Sequence, residues 1–180
     1  LAARDFAGVG GATTACLFFA VVDGSGRVRG GLRVQNRLIV AAQSHALEEW
    51  QGQPAQVALV NAIESRLHDG IVEVKSAWVD DRWPFASEAA AQLARSGLPV
   101  MEICRVEHTM ATAADHVLRR WESGGGRIDP SVAPTPFPSD RYRTRLMWWT
   151  RATLRDTTPS TAWIQMRHET DVLLGVKTLP

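Results

Sequence analysis

Residues 105–121, RVEHTMATAADHVLRRW, decide the fold that this sequence predicts. The stretch opens with the apolar pattern of the end of a buried strand and closes with the spacing of an amphipathic helix. Asp115 stands between the two, directly after a pair of alanines. The first turn of a helix stabilises a carboxylate, because its backbone N–H groups are free and the helix dipole is positive there. Two interpretations are therefore open for Asp115: a helix-start residue, or the metal ligand that some nucleases hold at such a position.

The segments upstream predict antiparallel strands first, and then strands that alternate with helices. Residues 13–34 predict two strands joined at the turn DGSG, and residues 36–42 predict a third. The pattern then predicts a helix from Pro54, a strand over 70–79, a short helix over 87–97, a strand over 98–107 and a helix through Trp121. Because alternating strands and helices need crossover connections, we predict an α/β fold. Its mixed five-stranded sheet has three antiparallel strands first and is flanked by helices.

Composition limits the classes of protein to which the chain can belong. A chain of 180 residues with 45% hydrophobic residues is long and apolar enough for a folded core. The net charge of +1 predicts no strong non-specific attraction to polyanions, although eighteen of the twenty basic residues are arginines. Two cysteines indicate neither a disulfide framework nor a structural zinc site. No apolar run has the length of a membrane span, and the first residues lack the features of a signal peptide.

The chain divides by composition into three segments. We predict a domain over residues 1–122, a Gly- and Pro-rich linker over 123–138, and an Arg- and Trp-rich C-terminal extension over 139–180. The extension predicts a helix that carries Arg145, Trp148 and Trp149. Trp and Arg are enriched where protein interfaces bury their anchors, so we expect these three residues to bind a protein partner. The alternative, packing of the extension on its own domain, stays open.

Three motifs together resemble the ribonuclease H family, particularly its plant and retroelement-type members. They are RDFAGVGG near the start, FFAVVDGSGRVRGG in the first hairpin and VEHTMATAADHVL before the last helix of the domain. The resemblance covers about residues 4–121. It implies a ribonuclease H-like fold in which four carboxylates hold two Mg²⁺ ions, since hard cations prefer oxygen ligands.

The resemblance places the four acidic positions at Asp5, Gln56, Ala77 and Asp115. Two of these positions carry an amide and a methyl group, so the implied metal site is degenerate and Asp5 and Asp115 are vestigial. Either Asp80 or Asp81 would need a bulge or a shifted register to replace the lost acid at position 77. A second register, with Asp23 as the first acid, does not restore the missing pair. We therefore expect no metal and no cofactor, with Mg²⁺ bound only if the enzyme is active.

A degenerate site predicts a non-catalytic function. We expect a structural or RNA-contacting subunit of a larger ribonucleoprotein assembly, such as a mitochondrial ribosome, with RNA contacts from Arg105, Arg119 and Arg120. Protein partners would bind through the C-terminal extension, and no membrane partner is expected. The alternative is a Mg²⁺-dependent ribonuclease H that cleaves RNA in RNA–DNA hybrids. The compartment stays open, with an organellar assembly favoured.

Overall fold

The computed structural model describes residues 2–6 and 16–175. These residues form one mixed β-sheet with helices packed on both of its faces. Seven strands lie in the spatial order β1-β2-β3-β4-β5-β7-β6. They are β1 (Ala2–Phe6), β2 (Cys16–Val22), β3 (Val28–Val34), β4 (Ile71–Val79), β5 (His108–Ala114), β6 (Arg127–Ile128) and β7 (Thr144–Thr150). Six of them have at least five residues, and β6 adds a two-residue edge. Only β4 and β5 pair in parallel.

Five of the α-helices lie between strands in the chain, and two follow the last strand. They are α1 (Ala46–Glu49), α2 (Gln56–Glu64), α3 (Ala86–Ala94), α4 (Gly97–Cys104), α5 (Leu118–Ser123), α6 (Arg151–Thr157) and α7 (Ser160–Leu173). The α/β class, the mixed sheet and its flanking helices were predicted correctly. No helix in the described part of the chain is long and apolar enough to cross a membrane.

The alternation of side chains along the strands divides the core into two clusters, one on each face of the sheet. The first cluster includes Phe19, Val72, Met101, Ala111 and Trp149, together with residues of α3, α4 and α7. The second cluster includes Trp50, Leu59, Ile71, Met110 and Trp148, together with residues of α1 and α2. Neighbouring strand residues such as Ile71 and Val72 therefore belong to different cores.

Two predicted strands are not strands. Residues 36–42 form an extended loop and enter a 3₁₀ turn at Ala41, and the third antiparallel partner in the central sheet is β4 instead. Residues 98–107 lie mostly in α4, and the strand that follows begins only at His108. The apolar run Leu98–Met101 is buried on nearly every side, and a short buried run has no periodicity that separates a helix from a strand.

The predicted helix of the C-terminal extension is also wrong over its first half. Thr144–Thr150 forms β7, which pairs with β5 on one side and with β6 on the other. The β-branched and aromatic residues of this run suit a strand. Both Trp148 and Trp149 are almost fully buried, on opposite faces, so neither indole ring is an exposed anchor for a partner. The division into domain, linker and extension stays a prediction.

The glycine run of the predicted linker forms a tightly packed turn. Gly124, Gly125 and Gly126 are buried, and the Nε1–H of Trp149 donates to the carbonyl oxygen of Gly124 at 3.0 Å. A Cβ atom on Gly124 would lie 1.9 Å from the carbonyl oxygen of Ala94. These glycines are required for close backbone packing rather than for flexibility.

Replacing Gly124 with alanine should lower the free energy of unfolding by about 2 kcal/mol or more, because backbone atoms of Ala94 must move to admit the methyl group. Thermal and urea denaturation measure the change. Gly24→Ala is the matched control, since a Cβ there meets no atom within 4 Å, and we expect a change within about 0.5 kcal/mol. Equal stability of the two variants would contradict the packing described for the turn.

A second prediction concerns His108, which is buried at the start of β5 next to the ring of Trp148 and lies 3.2 Å from the hydroxyl of Thr150. Burial lowers the pKa of His108 from its usual 6.5, although the nearby carboxylate of Asp69 acts in the opposite direction. The unfolded chain therefore takes up a proton first as the pH falls. The contribution of neutral His108 to the free energy of unfolding is therefore fully present above pH 6.5 and is lost as the pH falls below 6.5.

We expect the wild type to lose more unfolding free energy between about pH 7 and about pH 5 than His108→Gln does. Urea denaturation at a series of pH values measures both curves. Carboxylates that titrate in this range affect the two proteins equally, so the difference belongs to His108. Parallel curves would show that His108 does not resist protonation in the folded state.

Candidate functional site

The parallel strands β4 and β5 separate halfway along their length. Their pairing runs from Ile71 opposite His108 to Val74 opposite Ala111 and then ends, while β4 continues to Val79. Over the described residues, the β5-facing edge of residues 75–79 has no partner strand. The gap opens at the carboxyl ends of two parallel strands, which is where ligands bind in open α/β sheets.

A β-bulge shapes the β4 side of this gap. On β3, Gly31 and Arg33 pair with Trp78 and Lys75, so β4 uses one residue more than β3 over the same span. Ser76 lies in the bulge and has a φ of 54°, which is unusual for a residue other than glycine. A bulge bends its strand and changes the direction of the nearby side chains, and bulges are common beside active sites.

Two cavities meet at the gap. The first has a volume of about 430 Å³ and is lined from both faces of the sheet: Val74 and Ala111 belong to the first core cluster, whereas Glu49 and Lys75 lie on the opposite face. The second, of about 440 Å³, lies between β4, α3 and α5. Both are lined by Ala77 and Trp121, so the two cavities are neighbours at the gap, and we refer to the pair as the passage.

A buried cluster of charges stands at the α1 end of this passage. The ammonium group of Lys75 contacts the carboxylates of Glu49 and Glu73, the latter at 3.2 Å. The hydroxyl of Thr112 donates to Glu49 Oε1 at 2.9 Å and accepts from Lys75 at 3.1 Å. The side chains of Glu49, Glu73 and Lys75 are at most 9% exposed. The three ionised groups sum to a charge of −1, in surroundings where charge–charge interactions are weakly screened.

Glu73 fixes the position of α1 over the sheet. Its two carboxylate oxygens accept hydrogen bonds from the backbone N–H groups of His45 at 2.8 Å and Ala46 at 3.1 Å. A carboxylate at a helix N-terminus satisfies free N–H groups and interacts favourably with the helix dipole. The bond between the hydroxyl of Thr135 and the carbonyl oxygen of Glu49, 3.0 Å long, holds the other end of α1.

Four buried side-chain polar atoms in the described residues have no hydrogen-bond partner: Arg33 Nε, His45 Nδ1, Glu49 Oε2 and Thr109 Oγ1. Buried polar atoms are nearly always paired in folded proteins, so each exception needs an explanation. Glu49 lines the first cavity, and its free oxygen is a hydrogen-bond and proton acceptor that no protein group uses.

The structure places the four predicted acidic positions on four separate elements. Asp5 lies in β1 opposite Leu17, Gln56 begins α2, and Ala77 lines the gap. Asp115 follows β5 and forms an ion pair with Arg145 at 2.6 Å.

Of the two replacement acids, Asp80 pairs with Arg29 at 2.8 Å, and Asp81 lines the second cavity. Among the described residues there is no group of three acidic, histidine or cysteine side chains that could hold a metal ion.

The predicted nucleic-acid-binding arginines are exposed but scattered. Arg105 ends α4 with a left-handed φ of 53°, while Arg119 and Arg120 lie on α5. Arg120 lines the second cavity. RNA binding by these residues stays a prediction, and so does a protein partner for the C-terminal segment.

Sequence reasoning missed the residues that form the buried cluster. Glu73 and Lys75 alternate with apolar residues in the strand IVEVK, and this spacing places both on one face of the strand. Two charged residues on a strand face that otherwise packs in the core would have indicated a buried charged site. Glu49 carried no such signal, because it follows another glutamate in a short helix.

Comparison with known sequences gives relatives without a named activity. No protein-family profile matches the chain. An uncharacterized protein of Mycobacterium tuberculosis and one of Mycobacterium bovis are each 45% identical over 139 residues, which is 77% of this chain. The matched region is 52% of each relative, so the chain spans about half the length of the curated relatives it matches.

Comparison with solved structures gives the fold. FeeM, an N-acyl amino acid synthase from uncultured soil microbes, superposes with a TM-score of 0.53 at 11% identity, covering 80% of this chain and 77% of its own. MesI, a CoA-dependent acyl-homoserine lactone synthase, gives 0.50 at 16% identity over 91% and 71% of the two chains. A chimera of Vibrio cholerae spermidine N-acetyltransferase SpeG gives 0.50 at 10% identity over 77% and 69%.

These neighbours share the GNAT fold of acyltransferases, and this is the fold of the described chain. The ribonuclease H-like assignment was therefore wrong, and both functions inferred from it are overturned: the ribonucleoprotein or ribosomal subunit and the RNA–DNA hybrid ribonuclease. The Mg²⁺ ions of the alternative ribonuclease function do not match these neighbours either, one of which is named for its dependence on CoA. FFAVVDGSGRVRGG lies in the β2–β3 hairpin and VEHTMATAADHVL in a strand–helix junction, which are features common to many α/β folds. Residues 7–11 of the motif RDFAGVGG lie outside the described residues.

Proposed function

We propose that this chain is an acyltransferase domain that moves an acyl group from a thioester, such as an acyl-CoA, to an amine. The observation that carries the proposal is the passage where β4 and β5 separate, with the partner-free Oε2 of Glu49 beside it. The fold alone does not give a function. The neighbours add support, because each is named for the attachment of an acyl or acetyl group.

The unpaired edge of β4 is suited to binding the acyl donor, an acyl-CoA. The pantetheine arm of CoA is extended and contains amide groups, and residues 75–79 offer backbone N–H and C=O groups that β5 does not use. The second cavity has room for such an arm, because Ala77, Ala86 and Ala90 line it with small side chains. The reacting carbonyl group would then lie near Ala77 and Trp121, where the two cavities meet.

Glu49 suits the proton transfer that acylation of an amine requires. An amine enters as an ammonium ion and must lose a proton before its nitrogen can attack a carbonyl carbon, and a carboxylate at this position accepts that proton. The free carboxylate oxygen of Glu49 favours binding of the ammonium group next to it.

In the transfer itself, the C–N bond forms and the C–S bond of the thioester breaks. The departing thiolate takes up one proton, and the new amide nitrogen loses its second proton. The products are an amide and a free thiol, with one proton released to solvent through Glu49.

Removing the carboxylate of Glu49 tests its assignment as the base. Glu49→Gln keeps the shape of the side chain and removes its basicity, so we expect kcat to fall by about 10²- to 10⁴-fold. Thiol release from an acyl-CoA in the presence of an amine measures the rate. Glu64→Gln, on the exposed end of α2, is the control and should leave the rate unchanged. A wild-type rate in Glu49→Gln would exclude Glu49 as the base.

Filling the gap tests the donor site. Ala77→Phe should weaken the binding of CoA by about tenfold or more, because the ring occupies the point where the two cavities join. Isothermal titration calorimetry with CoA measures the Kd. Val57→Phe adds the same group on α2, at a residue 69% exposed, and serves as the control. Unchanged CoA binding by Ala77→Phe would place the donor elsewhere.

A further inference from the structure

We infer that the acyl acceptor is a zwitterion of the α-amino-acid type, whose ammonium group binds Glu49 and whose carboxylate binds Arg33. The inference rests on the proposed acyltransferase function and names the substrate class of the same site.

Arg33 lies on the same face of the sheet as the buried charge cluster. On β3, the neighbours Leu32 and Val34 belong to the first core cluster, so the side chain between them faces the opposite side. Arg33 is the direct cross-strand partner of Lys75. Side chains in such a pair have Cβ atoms about 5 Å apart. Because Lys75 contacts Glu49, Arg33 and Glu49 are both neighbours of the Lys75 side chain.

Three of the four unpartnered buried atoms in the described part of the chain lie in this cluster or on the strand next to it: Arg33 Nε, His45 Nδ1 and Glu49 Oε2. Arg33 Nε is a donor without an acceptor, and Glu49 Oε2 is an acceptor without a donor. Leaving such atoms unpaired is costly, and the cost is removed when a ligand offers a complementary donor and acceptor. An α-amino acid carries both on adjacent groups.

No carboxylate oxygen of this cluster forms an ion pair with Arg33, although Glu49 Oε2 is free. Both oxygens of Glu73 accept backbone hydrogen bonds, and Lys75 lies 3.2 Å from one of them. The other glutamate, Glu49, is paired with Lys75 and Thr112 through Oε1. Arg33 is therefore open to an anion from outside the cluster, and a ligand carboxylate accepts well from a guanidinium group.

The sum of the charges supports a zwitterion over a polyamine. Arg33 and Lys75 contribute +2, and Glu49 and Glu73 contribute −2, so the four groups together are neutral. A ligand with one positive and one negative group keeps that balance. A polyamine would add positive charge without compensation beside Arg33, and a simple amine would leave the guanidinium unpaired.

The test compares amino acids with their α-carboxamides. The wild type is assayed against proteinogenic L-amino acids, the matching amino-acid amides and spermidine, with acetyl-CoA and a long-chain acyl-CoA as donors and mass spectrometry of the products. We expect kcat/KM for the best amino acid to exceed that for its amide by about tenfold or more, because only the acid offers Arg33 an anion.

Variants of Arg33 assign that preference to one side chain. Arg33→Gln should lower kcat/KM for the amino acid by about tenfold or more, through KM, and leave the amide unchanged. Arg33→Lys keeps the charge and should restore part of the preference. Arg27→Gln, at an exposed arginine in the β2–β3 turn, should have no effect. Calorimetric titration of the same amino acid and amide onto each protein, without donor, measures binding separately from catalysis.

The outcomes separate the two proposals. Acylation of amino acids and amides at equal rates would overturn the zwitterion assignment and leave the acyltransferase function intact. Binding of the amino acid but not of its amide, lost in Arg33→Gln, without acylation by either donor, would support the acceptor site and overturn the acyltransferase function. Neither binding nor acylation by the folded protein would overturn both.

Discussion

The site depends on the point at which β4 and β5 stop pairing. The two strands are held in parallel over four residue pairs and are then separated by the β-bulge at Ser76, while their outer partners β3 and β7 continue to pair with them. A sheet that stayed paired to its end would leave no passage and no unused backbone groups along β4. The gap creates both, and the small side chain of Ala77 keeps it open.

The buried charges next to the gap are more costly to keep in a core than apolar residues would be. A lysine between two glutamates is stabilised by its contacts, but apolar residues of the same size often stabilise a core as well or better. The arrangement therefore points to a function for these groups. Glu73 and Lys75 also hold α1 over β4, so the same contacts that orient Glu49 attach its helix to the sheet. Rigid support of this kind is what a site needs when a proton must be transferred over a short distance.

The sequence predicted the class of fold and failed at the elements whose environment is unusual. The first hairpin, the helix after Pro54 and strand β4 follow from patterning and turn residues. Residues 98–107, just before β5, lie mostly in the buried helix α4. Their apolar residues show neither helical nor strand periodicity, so the sequence could not separate the two structures. Strand β7 is buried on both faces, so its sequence TRLMWWT has no alternation that would separate a strand from a helix. The site is harder to predict still, since Arg33, Glu49 and Lys75 come from three elements that meet only through sheet order.

Strand β7 has a consequence for how the chain folds during synthesis. It supplies Met147 and Trp149 to one core and Leu146 and Trp148 to the other, and it covers the outer edge of β5. On a ribosome, β4, β5 and every helix up to α5 emerge before this strand does. Both cores stay open on the β5 side until residues 144–150 leave the exit tunnel. The nascent chain therefore exposes an apolar strand edge until β7 emerges, and an exposed edge of this kind makes a folding intermediate prone to aggregation.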